Sequence, residues 1–143
     1  MAFDLDDLDP RNAKKKPLNL DDMNIEDLKE YVTALKAEIE RVEAKVKAKI
    51  KKILTDNGAY YAMPIGTGYG NSGVPDFLCC VKGRFVAIEA KAGKGTTTAL
   101  QDKNLREIRE AGGTAMVVNE ANLEVFEAWV KEYVNPDRPT DNQ

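Results

Sequence analysis

The sequence contains no histidine. That absence excludes Ser-His-Asp and Cys-His catalysis, a histidine general base and His-ligated zinc. Acid–base or metal chemistry must then use Asp, Glu, Lys, Tyr or water. Cysteine is scarce too. The two present, Cys79 and Cys80, are adjacent, so in a strand they point to opposite faces, and neither has a C-x-x-C partner for zinc or redox work. They read as small residues filling a strand. No apolar run reaches the roughly 18 residues of a membrane-spanning helix. The opening "MAFDLDDLDP" is acidic and lacks a basic segment followed by an apolar one, so no secretory signal is expected and the cytoplasm is the expected compartment.

The composition is that of a soluble globular domain: 143 residues, 43% hydrophobic and 31% charged. The net charge of −3 hides an asymmetry. Residues 1–30 carry nine acids against five bases, and residues 119–143 six against two. Residues 41–94 reverse this with ten bases against four acids. A basic middle between acidic ends permits a polyanionic partner such as DNA, although lysines on a helix also serve simply as a solvated face.

Residues 1–22 are polar, with Pro10 and Pro17, and are expected to be a disordered acidic tail. A long helix follows, with Asn24 as N-cap and Gly58 as C-cap. Leu28, Val32, Leu35, Ile39, Val42 and Val46 alternate steps of four and three, an a/d heptad seam. Residues 24–42 are therefore expected to be a helical, coiled-coil arm that could pair two copies, and residues 43–135 the main domain. After Val46 the seam breaks at Lys49, and Ile50, Ile53 and Leu54 take over in a new phase. "AYYAM" (59–63), "VPDFLCCV" (74–81), "RFVAIEAK" (84–91) and "TAMVVN" (114–119) read as strands. Residues 98–111, closed by Gly112-Gly113, and "ANLEVFEAWVKEYV" read as helices, with 136–143 a frayed tail. The order implies an α/β fold with a mixed sheet.

Lys82-Gly83 supplies a two-residue turn, so residues whose numbers sum to 165 should face each other. Asp76 then stands opposite Glu89, with Lys91 on the same face. Like charges directly opposite destabilise a sheet unless something offsets them. Lys91 could do so alone, as a structural ion pair. A divalent cation between the carboxylates could do so as well, and oxygen donors suit Mg2+ or Mn2+. Two further features surround this triple. Gln101 shares a helix face with Leu105 and Ile108, and Thr98-x-x-Gln101 also spells a capping box, in which the glutamine would bond back to the N-cap amide. The loop "GTGYGNSG" (66–73) could admit a phosphate backbone, with Tyr69 available to stack on a base, and "GKG" (93–95) reads as a mobile basic flap.

Asp76 preceded by proline, then Glu89-x-Lys91, resembles the P-D…(D/E)-x-K pattern of the restriction-endonuclease-like superfamily. The wider stretch, from "GAYYAMP" through "GYGNSGVPDFL", "KGRFVAIEAKAGKG" and "TALQ" to "IREAGGTAMVV", resembles the VRR-NUC nucleases, particularly small stand-alone forms from phages and bacteria. It covers residues 43–118, about half the chain. The resemblance implies a helix–three strands–helix–strand core. It also implies Asp76, Glu89 and the Ala90 carbonyl as metal ligands, Lys91 as the catalytic lysine, Gln101 as a site residue, and a helix glutamate at the metal. Glu43 fits that last role, with Glu38 and Glu40 as rivals.

These observations together lead us to expect a Mg2+- or Mn2+-dependent DNA endonuclease, acting on branched or double-stranded DNA as a homodimer. Lys45, Lys49, Arg84, Lys94 and Tyr69 are the expected DNA contacts. The alternatives are a DNA-binding module without catalysis, or an assembly protein acting through its coiled coil.

Overall fold

The computed structural model describes residues 18–66 and 70–137. Tyr69, most of the expected N-terminal tail and nearly all of the C-terminal one lie outside the described residues. The chain divides into two compact units, Met1–Val42 and Glu43–Gln143. One long helix, α1 (Ile25–Asp56), supplies residues to both.

In the first unit, the last three residues of the expected tail are structured. Asn19 accepts a hydrogen bond from the Asp21 amide at 3.1 Å and donates to the Asp22 carboxylate at 2.9 Å, which caps a single 3-10 turn at Leu20–Asp22. The start of α1 is where the sequence predicts it, since Asn24 Oδ1 accepts the Asp27 amide at 2.8 Å. The heptad positions Val32, Leu35 and Ile39 are 47%, 37% and 50% exposed. Charges beside them pair locally, with Glu38 holding Arg41 at 2.6 Å.

The second unit begins with the rest of α1. Its end is a Schellman closure: Gly58, at φ 70°, takes the left-handed conformation, and Ala59 N–H reaches back to the Leu54 carbonyl at 3.0 Å. The strands β1 (Tyr60–Ala62), β2 (Phe77–Val81), β3 (Arg84–Ala90) and β4 (Thr114–Val118) form a sheet in that order. The first two pairings are antiparallel and β3–β4 is parallel. A parallel neighbour needs a crossover, and α2 (Ala99–Glu110) provides it. The last helix is α3 (Leu123–Val134). The α/β class and the mixed sheet predicted from the element order are thus observed.

The β2–β3 hairpin turns at Lys82 (φ 47°) and Gly83 (φ 80°), as expected for a two-residue turn with positive φ at both positions. The register follows: Val81 pairs with Arg84 and Phe77 with Ile88. However, β2 is shorter than predicted at its start. Pro75 has no N–H to give the ladder, so regular pairing begins only at Phe77.

Buried residues occur at both parities of β2 and β3. Leu78, Ala87, Ala115 and Val117 face Leu105 and Ile108 of α2. Phe77, Cys79, Val81, Val86 and Ile88, of the other parity, are also buried. Burial on both faces explains why β3 reads as a continuous apolar run rather than an alternating one. The buried stripes Val46, Ile50, Ile53 and Leu54 of α1 and Phe126 and Val130 of α3 complete the core. Burial also raises the Cys79 thiol to about 12, and no disulfide forms, in keeping with a packing role.

Phe77 is fully buried and Tyr60 is 72% exposed. Urea denaturation should therefore show Phe77→Ala losing about 3–5 kcal/mol, against about 0.5 kcal/mol or less for Tyr60→Ala.

Candidate metal site at the end of the hairpin

One residue before β2, the chain still follows the hairpin register. Asp76 Oδ2 accepts the Ala90 amide at 2.9 Å, so the side chain replaces the ladder bond that the strand no longer makes. This brings the Asp76 carboxylate beside that of Glu89, as the turn predicted. Glu89 is the buried charged residue among those described, 4% exposed. Its carboxyl is pushed up to about 7, first by burial and second by the charge of Asp76, against the pull of Lys91, an Asp76 amide and Lys47. Lys91 lies 3.8 Å from Glu89 Oε1, close enough for charge but beyond a hydrogen bond.

Gln101 closes the capping box and meets Glu89 at the same time. Its Oε1 accepts the Thr98 amide at 2.8 Å in a complete capping box. Its Nε2 donates to Glu89 Oε1 at 2.6 Å. An amide has an acceptor end and a donor end, so helix closure and carboxylate orientation need not compete.

A tie missed at the sequence level holds the loop before Asp76 against α2. Gly73 sits at φ 76°, and a Cβ there would lie 2.6 Å from the Leu100 backbone carbon. Asn104 Nδ2 donates to the Ser72 carbonyl at 3.0 Å. Gly73 therefore serves close packing of the loop on the helix. The glycine pattern signalled a special backbone but not its neighbour.

Lys47 was also missed, and its Nζ lies 3.3 Å from Asp76 Oδ1. At about 100° per residue, Lys47 flanks the buried Val46–Ile50 stripe on one side, with Lys45 and Lys49 on the other. Those two are exposed and turned away from the Lys47 side. Glu43 is half-buried one turn before Lys47. That places Glu43 on the same side of α1 as Lys47, although among the described residues no three His, Cys, Asp or Glu side chains gather into a metal-binding group. Its rivals Glu38 and Glu40 belong to the first unit.

Arg84 lies apart from the carboxylate pair. It begins β3, about 17 Å along the strand from Glu89, where it donates to Thr114 Oγ1 at 2.5 Å and lies over the Tyr133 ring. The loop carrying Lys94 is pinned rather than free: Gly93 N–H donates to Glu120 at 2.9 Å, and Asn119 donates to the Gly93 carbonyl at 3.2 Å. Lys94 itself is exposed there.

The donors suit a hard cation. In a strand, a residue's N–H and C=O point to the same edge, so the Ala90 carbonyl is directed to the edge where its amide meets Asp76. Two carboxylates and a carbonyl are all oxygen. Mg2+ commonly binds through one or two carboxylates plus water and substrate phosphate, so the small number of protein ligands fits it.

In comparison with known proteins, residues 6–53 match a family model described as "Protein of unknown function (DUF1192)", about a third of the chain. This corrects the resemblance to the VRR-NUC and restriction-endonuclease-like nucleases: the family found is a different one. That resemblance drew on residues 43–118 and on short motifs, and a P-D…E-x-K triple is too small a pattern to identify a family. No curated protein matches the chain, and no solved structure does.

The raised carboxyl of Glu89 has a consequence for stability. Between its ordinary value of 4.5 and about 7, the folded chain keeps a proton that the unfolded chain has released. Stability should therefore fall as pH rises through that window. Denaturation in metal-free buffer should show a loss on the order of 2–3 kcal/mol from this group between about pH 5 and pH 8. Glu89→Gln should flatten the slope, and a slope unchanged in the variant would contradict the assignment.

Proposed function

We propose that the chain is a Mg2+- or Mn2+-dependent nuclease that hydrolyses DNA phosphodiester bonds. The observation that carries this reading is the buried Glu89 carboxylate, oriented by Gln101 and set beside a second carboxylate, Asp76. The alternative is a purely structural cluster of ion pairs, with Lys91 3.8 Å from Glu89 and Lys47 3.3 Å from Asp76. A cytoplasmic location forms part of the proposal. Among the described residues, no helix is long and apolar enough to cross a membrane. A preference for branched DNA rested on the corrected family resemblance and is not carried forward.

In this reading Asp76, Glu89 and the Ala90 carbonyl hold the cation. When bound, Mg2+ or Mn2+ polarises a phosphoryl oxygen and lowers the pKa of water. Gln101 Nε2 donates to Glu89 Oε1 and so holds one metal ligand in a single orientation. Lys91, only 15% exposed at its side chain, presents an ammonium on the same face. There it can orient the attacking water or offset charge developing on the phosphate. Lys94, three residues on and exposed, can meet the DNA backbone.

The arm supports a dimer. Ile25, Val32 and Ile39 fall at a positions and Leu28, Leu35 and Val42 at d. β-Branched residues at a with leucine at d favour two parallel strands, so the occupant proposed for this exposed seam is a second copy of the chain. Light scattering of the full chain at micromolar concentration should give twice the monomer mass, and Ile39→Lys should shift it to monomer. A monomeric wild-type chain would remove the dimer from the account.

Incubation of plasmid DNA with the protein should give cleavage with Mg2+ or Mn2+ and none with EDTA. Asp76→Asn, Glu89→Gln and Lys91→Met should each lower the rate by about a hundredfold or more. Binding without cleavage under every metal condition would favour the DNA-binding module instead.

A further inference from the structure

One side chain at the site has no part in the hydrolysis described above. Asp76 uses Oδ2 to accept the Ala90 amide at 2.9 Å, which leaves Oδ1 as the oxygen facing an incoming cation. Lys47 Nζ already stands 3.3 Å from that oxygen. The two side chains are 32% and 24% exposed, so the ion pair is neither locked in the core nor fully dissolved in solvent. An ammonium and a divalent cation at one carboxylate oxygen repel each other. Lysine also carries its charge on a flexible stem that can swing aside. We infer that Lys47 is a positioning residue that competes with the divalent cation for Asp76: it holds the carboxylate in place in the metal-free chain and weakens metal binding.

This rests on the metal-site reading, and it adds an internal regulator of occupancy supplied by α1. It predicts that removing the ammonium tightens binding. A merely structural Lys47 would leave the affinity unchanged or weaken it through loss of order at Asp76.

Calorimetric titration of the full-length protein with Mn2+, in the absence of DNA, tests the inference. Lys47→Met should bind roughly two- to tenfold more tightly than the wild type. Lys47→Arg, which keeps the charge, should stay within about twofold of the wild type, and Asp76→Asn should abolish binding. Circular dichroism without metal checks folding, and Lys47→Gln replaces the methionine variant if that fails to fold. Equal or weaker binding by the neutral variants, with the wild type still binding, overturns the role of Lys47 and leaves the metal site standing. No Mn2+ binding by any variant or the wild type overturns both.

Discussion

The interaction on which the site depends is the burial of Glu89 beside another carboxylate. A buried carboxylate is costly unless partners surround it, and the partners come from every direction. Gln101 arrives from α2, Lys91 from the end of the same strand and Asp76 from the start of the neighbouring one. Lys47 of α1 balances Asp76 from outside. Even so, burial and the second carboxylate outweigh the lysines, and Glu89 rises to about 7. A divalent cation between the two carboxylates would relieve the repulsion that, together with burial, keeps Glu89 protonated.

The surrounding architecture keeps those partners in register. α2 acts as a bracket. Its first turn is closed by the Thr98–Gln101 capping box, and it holds the loop before Asp76 through Asn104 and the close approach at Gly73. Its inner face packs on the sheet through Leu105 and Ile108. One helix therefore fixes the approach to Asp76, the orientation of Glu89 and the crossover to β4. Displacing its first turn would disturb all three.

The parts of this arrangement set by local rules were legible in the sequence. The positive-φ turn at Lys82-Gly83 fixed the hairpin register, and the register placed Asp76 with Glu89. Asn24 and Gly58 marked the ends of α1 because caps act within one turn. The contributions that need tertiary neighbours were not legible. Lys47 looked like one of several helix lysines, and only the packing of α1 distinguishes it from Lys45 and Lys49. Arg84 carried suitable charge, but strand distance separates it from the carboxylate pair, and its partners there are Thr114 and Tyr133. Gln101 was legible as two alternatives, which the two ends of its amide reconcile. The family resemblance drew on motifs across residues 43–118, whereas the family model that matches covers residues 6–53 and describes a different family.

The most direct test is a crystal of the full chain soaked in Mn2+, with anomalous difference density calculated at the manganese edge. A peak is expected between the Asp76 and Glu89 carboxylates, next to the Ala90 carbonyl. A well-ordered Asp76–Glu89 pair with no peak, or a peak at another group of side chains, would contradict it.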